Sequence, residues 1–425
     1  MATAGARSGR IGKSATMTRP CSGATGSWAV ERMTLETCLA RIEARQPQVQ
    51  GWAYVDKTAT GGAGPLAGLV LGVKDVIDVA GMPTAHGSQA FAGNIAAADA
   101  ESVARLRAAG AVVLGKTVTA EFATYHPGPT TNPRNPAHTP GGSSSGSAAV
   151  VADGQADLAL GTQTAGSVIR PASFCGTFGF KPTFGRYPLG GVLETAPSLD
   201  TLGLFGRDLA VITAADAVLA GEDAVPQSPA NLTVGLCRSP AWDAASAEMQ
   251  AAFLAFADAL RAAGHVVQDR ELPAPFAGLI AAQLLIHRRE ASMAMGHIRR
   301  DHAAEVSPAF IAMIDGGAAE SEADYQAALA LQRECKALAG EVFAGVDLLL
   351  VPGAPGAAPA GHSATGDPVF QRIWTALGAP CFGFPAAWRA DGLPLGLQVI
   401  GAPGTDRQLL SNARAIAALA AIREI

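Results

Sequence analysis

Apolar positions recur along this chain in two rhythms. From Thr34 the spacing of Leu35, Leu39 and Ile42 predicts an amphipathic helix opening at Thr34-Leu35-Glu36. Residues 69–73 form an unbroken apolar run, the pattern of a buried strand. Val103 and Leu106 give the next segment an apolar face, with Asp99 as its expected N-cap and Gly110 as its stop. Residues 111–114 predict a strand, residues 145–152 a helix ending near Gly154, and residues 157–160 another strand. The alternation predicts an α/β fold built on a mixed sheet. Ala-rich helical stretches follow at 208–219, 244–263, 279–302 and 323–343, and strand character returns at 348–351 and 395–400. Residues 33–425 are expected to form one domain, with about 205–345 as a mostly helical subdomain lying on the sheet.

Residues 1–32 differ. Arg7, Arg10, Lys13 and Arg19 lie among Ser, Thr, Ala and Gly, with no acidic residue before Glu31. That make-up resembles an organellar transit peptide, but it lacks the apolar period of an amphipathic helix. A disordered N-terminal extension is expected, with Met17 or Met33 as alternative starts.

Composition narrows the function. Hydrophobic residues make up 49% of the 425 positions and charged residues 16%, and the formal net charge is −5. Such a balance argues against binding to nucleic acid or to an anionic membrane surface. No apolar run reaches the roughly eighteen residues of a spanning helix. Cys21, Cys38, Cys175, Cys237, Cys335 and Cys381 include no C-x-x-C pair, and the histidines include no H-x-x-x-H. Free thiols, a cytoplasmic setting, no metal and no cofactor are therefore expected.

Two Ser/Gly-rich turns carry the chemistry. Gly141-Gly142-Ser143-Ser144-Ser145-Gly146-Ser147 leads into an apolar stretch, and Gly161-Thr162-Gln163-Thr164-Ala165-Gly166-Ser167 follows it. Upstream, Lys74 ends the apolar run and precedes Asp75. Two serines and a lysine beside strand ends can make a nucleophile and its base without histidine. A flexible linker would not run straight into Ala148-Ala149-Val150-Val151 and then meet a second similar turn. A rival reading takes Gly142-Ser143-Ser144-Ser145-Gly146 as the G-x-S-x-G elbow of an α/β-hydrolase esterase. Ser144 would then be the nucleophile, with His265 or His362 as partner. It leaves Lys74 and the second turn unexplained. The S-x-x-K motif is absent, since no lysine has Ser three residues before it.

From about Thr34 to the C-terminus the chain resembles the amidase signature family, serine hydrolases with a Ser-Ser-Lys triad. The resemblance rests on Lys74-Asp75 after an apolar run, on Gly141-Gly142-Ser143-Ser144, and on the block from Gly161 through Ser167, Arg170-Pro171-Ala172 and Cys175-Gly176 to Lys181-Pro182-Thr183. It implies the amidase-signature fold, a large mixed sheet covered on both faces by helices. It implies Ser167 as nucleophile, Ser143 as a bridging serine after a cis peptide bond, and Lys74 as base. The N–H groups of Thr164, Ala165, Gly166 and Ser167 would form the oxyanion hole. Lysine can serve as a base only when neutral, so burial must lower its pKa. Ser144, Ser145, Thr162 and Gln163 would support the triad, or act as ordinary turn residues. Two departures stand out: Gln163 where the family usually has Asp, and Ala165 where Gly is frequent.

The stretch Ser167-Val168-Ile169-Arg170, with Gly366-Asp367-Pro368, Arg372 and Trp374-Thr375, is similar to the malonamidase subgroup. There the arginine three residues after the nucleophile binds a substrate carboxylate, a geometry that guanidinium suits. The alternative is a structural Arg170 paired with a buried acid or with carbonyls. The expected activity is hydrolysis of a small-molecule amide to a carboxylate and ammonia, on a carboxylate-bearing substrate such as malonamate. The same family contains glutaminase-type A subunits of tRNA-dependent amidotransferases, which are the main alternative. The oligomeric state is not readable from the chain; a homodimer is carried as an expectation. Lys116, Lys181, Cys175, Phe370 and Trp374 are expected to be structural.

Overall fold

The computed structural model describes residue 1, residues 33–222 and residues 231–423, so the expected N-terminal extension, Cys21 included, lies outside the described residues. Eleven strands form one sheet: β1 Trp52–Val55, β2 Val70–Lys74, β3 Val112–Thr117, β4 Leu158–Gln163, β5 Phe178–Lys181, β6 Thr201–Gly206, β7 Thr233–Leu236, β8 Val266–Asp269, β9 Leu348–Pro352, β10 Cys381–Trp388 and β11 Pro394–Ile400. Their spatial order is β1-β3-β2-β4-β6-β5-β10-β11-β9-β7-β8. β2 runs parallel to both β3 and β4, β7 runs parallel to β8 and β9, and the central strands pair antiparallel. The mixed sheet expected of an α/β chain is thus present. Every residue of β2, β3, β4 and β6 is buried, which explains their continuous apolar runs.

Helix Leu35–Val49 starts at Thr34, whose side chain accepts the Thr37 N–H, and buries Ile42 while Leu35 and Leu39 pack partly against the core. Helix Glu101–Ala108 departs from expectation. Its N-cap is Ala100, without a side-chain bond. Asp99 instead accepts the Ala80 N–H at 2.8 Å and pairs with Arg107 at 2.8 Å. The carboxylate is therefore committed to a neighbouring loop.

Two short strands, β7 and β8, interrupt the helical stretch and extend the sheet beside β9. The 323–343 pattern divides into helices Glu322–Ala337 and Ala339–Val342. The long helix Phe276–Asp301 packs Ala291, Met295 and Ile298 against Phe310, Met313, Ile314 and Phe122. The same helix buries Gln283, His287 and Glu290, spaced to share one face. Of these, Gln283 donates to Thr164 O, while Glu290 accepts from Ser198 and Tyr325.

Candidate active site

Parallel pairing fixes the first part of the site. Leu71, Gly72 and Val73 of β2 stand opposite Leu158, Ala159 and Leu160 of β4, so both strands end at the same edge. Open α/β sheets bind ligands beyond such carboxyl ends. Lys74 is the last residue of β2 and is fully buried. Its Nζ lies 2.8 Å from Ser143 Oγ and 2.7 Å from Thr162 Oγ1. Burial pushes its pKa down to about 7, while the charge of Asp200 opposes that shift.

Ser143 stands just before helix Ser145–Ala152, after a cis Gly142–Ser143 peptide. Its carbonyl accepts the Ala120 N–H at 3.0 Å. Gly146 lets this helix approach closely, because a Cβ there would lie 2.2 Å from Gly51 O and 2.4 Å from Val118 N. Ser144 is committed elsewhere. Its Oγ donates to Thr162 O at 3.2 Å and accepts the Thr162 N–H at 3.3 Å, with no exposed surface. His265, offered as its partner, accepts the Leu232 N–H. Ser145 Oγ donates to Val118 O at 3.4 Å.

The second loop, residues 164–168, is held by its carbonyls and side chains. Thr164 O accepts from Gln283 at 2.9 Å, Ala165 O from Thr375 at 2.7 Å, and Gly166 O from Arg170 N at 3.0 Å. Thr164 Oγ1 donates to Asp200 Oδ1 at 2.6 Å. Gln163 Oε1 accepts the N–H groups of Val168 and Ile169 at 2.9 and 3.1 Å, and its Nε2 donates to Thr375 Oγ1 at 3.0 Å. A glutamine therefore ties the start of helix Ile169–Cys175 to helix Val369–Leu377, a double task that a carboxylate without N–H donors cannot perform. Among the described residues, nothing accepts from the N–H groups of Thr164, Ala165, Gly166 or Ser167. Four adjacent free donors make a site for developing negative charge. Ser167 is 9% exposed and its hydroxyl makes no hydrogen bond within the described residues. The structure thus joins Lys74, Ser143 and Thr162 directly, while no hydrogen bond joins Ser143 to Ser167.

Arg170 is buried on helix Ile169–Cys175. Its Nη2 donates to Gly142 O at 2.6 Å and Thr365 Oγ1 at 3.0 Å, whereas Nε and Nη1 have no partner. Burial and Arg372 push its pKa down to about 9, which leaves it charged at neutral pH. One nitrogen is thus structural, and the other two are buried without a partner. An open cleft of about 540 Å³ borders Phe174, Gly366 and Asp367, but Lys74, Ser143 and Ser167 do not line it.

The residues expected to be structural have local partners. Lys116 pairs with Asp75 at 3.0 Å, Lys181 Nζ donates to Pro182 O, and Cys175 Sγ donates to Pro140 O. Burial raises the Cys175 thiol pKa, and Phe370 and Trp374 are core residues. Asp200 and Gln283 were not visible as site residues in the sequence. Asp200 also accepts the N–H groups of Thr195 and Ala196, and burial lifts its pKa to about 6. Among the described residues no group of acids, histidines and cysteines could hold a metal ion, and no helix is long and apolar enough to cross a membrane.

A buried lysine beside one serine loop, with a second serine loop whose amide donors are free, is the arrangement of a serine amidohydrolase on an α/β sheet. Comparison with known proteins gives the family: the Amidase model matches residues 34–410, and the chain belongs to that family of hydrolases acting on carbon–nitrogen bonds. It is 32% identical over 449 residues to the A subunit of glutamyl-tRNA(Gln) amidotransferase from Synechococcus sp. (strain RCC307), covering 89% of this chain and 92% of that one. A crystal structure of an amidase superposes with a TM-score of 0.83 at 31% identity, over 90% of this chain and 95% of that chain. Native peptide amidase from Stenotrophomonas maltophilia superposes with a TM-score of 0.76 at 26% identity, over 90% and 92%.

Proposed function

We propose that this chain hydrolyses a small carboxylate-bearing amide, such as malonamate, to a carboxylate and ammonia without a partner protein or cofactor. The observation that carries the reading is Lys74, a fully buried amine with a lowered pKa, 2.8 Å from Ser143 Oγ. A neutral amine there can take a proton that a charged one cannot.

In the proposed reaction Ser167 Oγ attacks the amide carbonyl carbon. Its proton passes to Ser143 Oγ, whose own proton passes to Lys74 Nζ. The oxyanion is held by the free N–H groups of the 164–167 loop. Collapse breaks the C–N bond, and the same relay returns a proton to the departing ammonia. Water then attacks the acyl-serine and restores Ser167. Ser145, Thr162 and Gln163 position the two loops, and Ser144 locks one to the other. The buried thiols of the described residues suit a reducing cytoplasm.

Relatives named as the A subunit of an amidotransferase favour a second reading, in which ammonia is produced inside an assembly. Ammonia release by the purified chain, without ATP or another protein, separates the two. Release from malonamate supports the proposal; activity only on glutamine with a partner present overturns it.

The carboxylate assignment has its own test. Arg170→Ala is expected to lower kcat/KM for malonamate relative to butyramide by roughly ten- to a hundredfold, the worth of about 1.5–3 kcal/mol of charge-assisted bonding. Because Nη2 also holds Gly142 O, some loss on both amides is expected, and the ratio is the readout. Equal losses would remove the carboxylate role and leave the amidase reading standing.

Asp200 provides a further check. Its charge favours the protonated form of Lys74. Asp200→Asn is therefore expected to move the alkaline rise of kcat/KM toward lower pH. A uniform loss with the rise unmoved would mean that Asp200 acts only through Thr164.

A further inference from the structure

Arg170 is not the only buried cation at this edge. Arg372, on helix Val369–Leu377, is 8% exposed and its charge bears on Arg170. Arg372 Nη1 donates to Gln283 Oε1 at 2.5 Å, and the guanidinium also meets the Tyr125 phenol. Asp367 is the acid whose charge reaches both arginines, and it is exposed to solvent. Two buried like charges repel and are costly to desolvate unless an anion lies between them.

A second observation points the same way. His287 lies one helical turn after Gln283, is 4% exposed, and neither ring nitrogen has a partner. Burial, Arg372 and Arg288 push its pKa down to about 3, so it is a neutral imidazole with one N–H to donate. Its ring centroid is 6.4 Å from that of Tyr125. Arg170 contributes its unpartnered Nε and Nη1. Unmatched buried donors on two helices, from Arg170 and His287, together with the second buried guanidinium of Arg372 on a third, describe an anion site.

We propose that Arg372, backed by Tyr125 and His287, is a specificity-determining residue that grips the free carboxylate of the substrate jointly with Arg170, so that the enzyme selects half-amides of short dicarboxylic acids. This rests on the reading that Arg170 faces a substrate carboxylate. The Gln283 contact links Arg372 to Thr164 O as well, so loss of Arg372 also disturbs the oxyanion loop. That disturbance affects every amide alike and cancels in a selectivity ratio.

The experiment compares kcat/KM for malonamate and butyramide in the wild type, Arg372→Gln, Arg372→Lys, Tyr125→Phe and Arg170→Ala. Arg372→Gln is expected to lower the malonamate-to-butyramide ratio by roughly tenfold or more, chiefly through KM, and Arg372→Lys to recover part of it. Should Arg372→Gln fail to fold, Tyr125→Phe and Arg372→Lys carry the test, each with a smaller fall in the ratio. An unchanged ratio in the Arg372 variants that fold, or in Tyr125→Phe if neither folds, overturns the proposal. If Arg170→Ala collapses the ratio while the Arg372 variants do not, this inference fails and the carboxylate reading stands. If none of them moves it, both fail.

Discussion

Ser167→Ala is expected to abolish turnover, with a loss of roughly 10⁴-fold or more in kcat on every amide substrate. Ser167 alone in its loop has a hydroxyl free of internal hydrogen bonds beside the unoccupied N–H groups of residues 164–167. Ser143 cannot replace it, because its Oγ is held 2.8 Å from Lys74 Nζ. Ser144 cannot either, because its Oγ both donates to and accepts from the Thr162 backbone. Steady-state ammonia release and intact-mass analysis for an acyl adduct check the expectation. Substantial activity in a folded Ser167→Ala enzyme would exclude it as the nucleophile.

The second large effect lies at Lys74. Lys74→Ala is expected to lower kcat/KM by roughly 10²–10⁴-fold, the usual range for a lost proton-transfer group. Lys74→Arg should not restore it, since guanidinium stays protonated. In the wild type the base works only after losing its proton. Below its pKa of about 7, kcat/KM should therefore fall about tenfold for each unit of pH, and above it the rate should level off. A pH–rate profile of the wild type and a residual-activity assay of both variants test this. An active Lys74→Ala enzyme with the wild-type profile would rule out Lys74 as the base.

Much of this site is legible in the sequence because its central parts are local. Helix Ser145–Ala152 follows directly from a Ser/Gly turn and a short apolar run, and the Asp208 cap announces helix Leu209–Ala220. Lys74 ends a fully apolar strand, which places a charge at a strand end inside the core. What escapes the sequence is what chain separation hides. Thr164 meets Asp200 across 36 residues and Gln283 across 119, and Arg170 meets Thr365 across 195. No local pattern marks such partners. β10 contains Gly383 and Pro385, which disguise a strand as a turn, and its register shifts between Pro385 and Ala387. β8 is largely exposed, so it lacks the apolar signal that reveals β2. Asp99 looks like a helix cap from its position alone, but its loop and Arg107 claim the carboxylate.

Ser167, served by Ser143 and Lys74, is expected to form the acyl-enzyme. The most direct test is peptide mapping by mass spectrometry after the purified chain reacts with an active-site fluorophosphonate. A single adduct on Ser167 is expected, and it should fail to form in Lys74→Ala. An adduct on Ser144, or labelling that survives Ser167→Ala, would contradict that expectation.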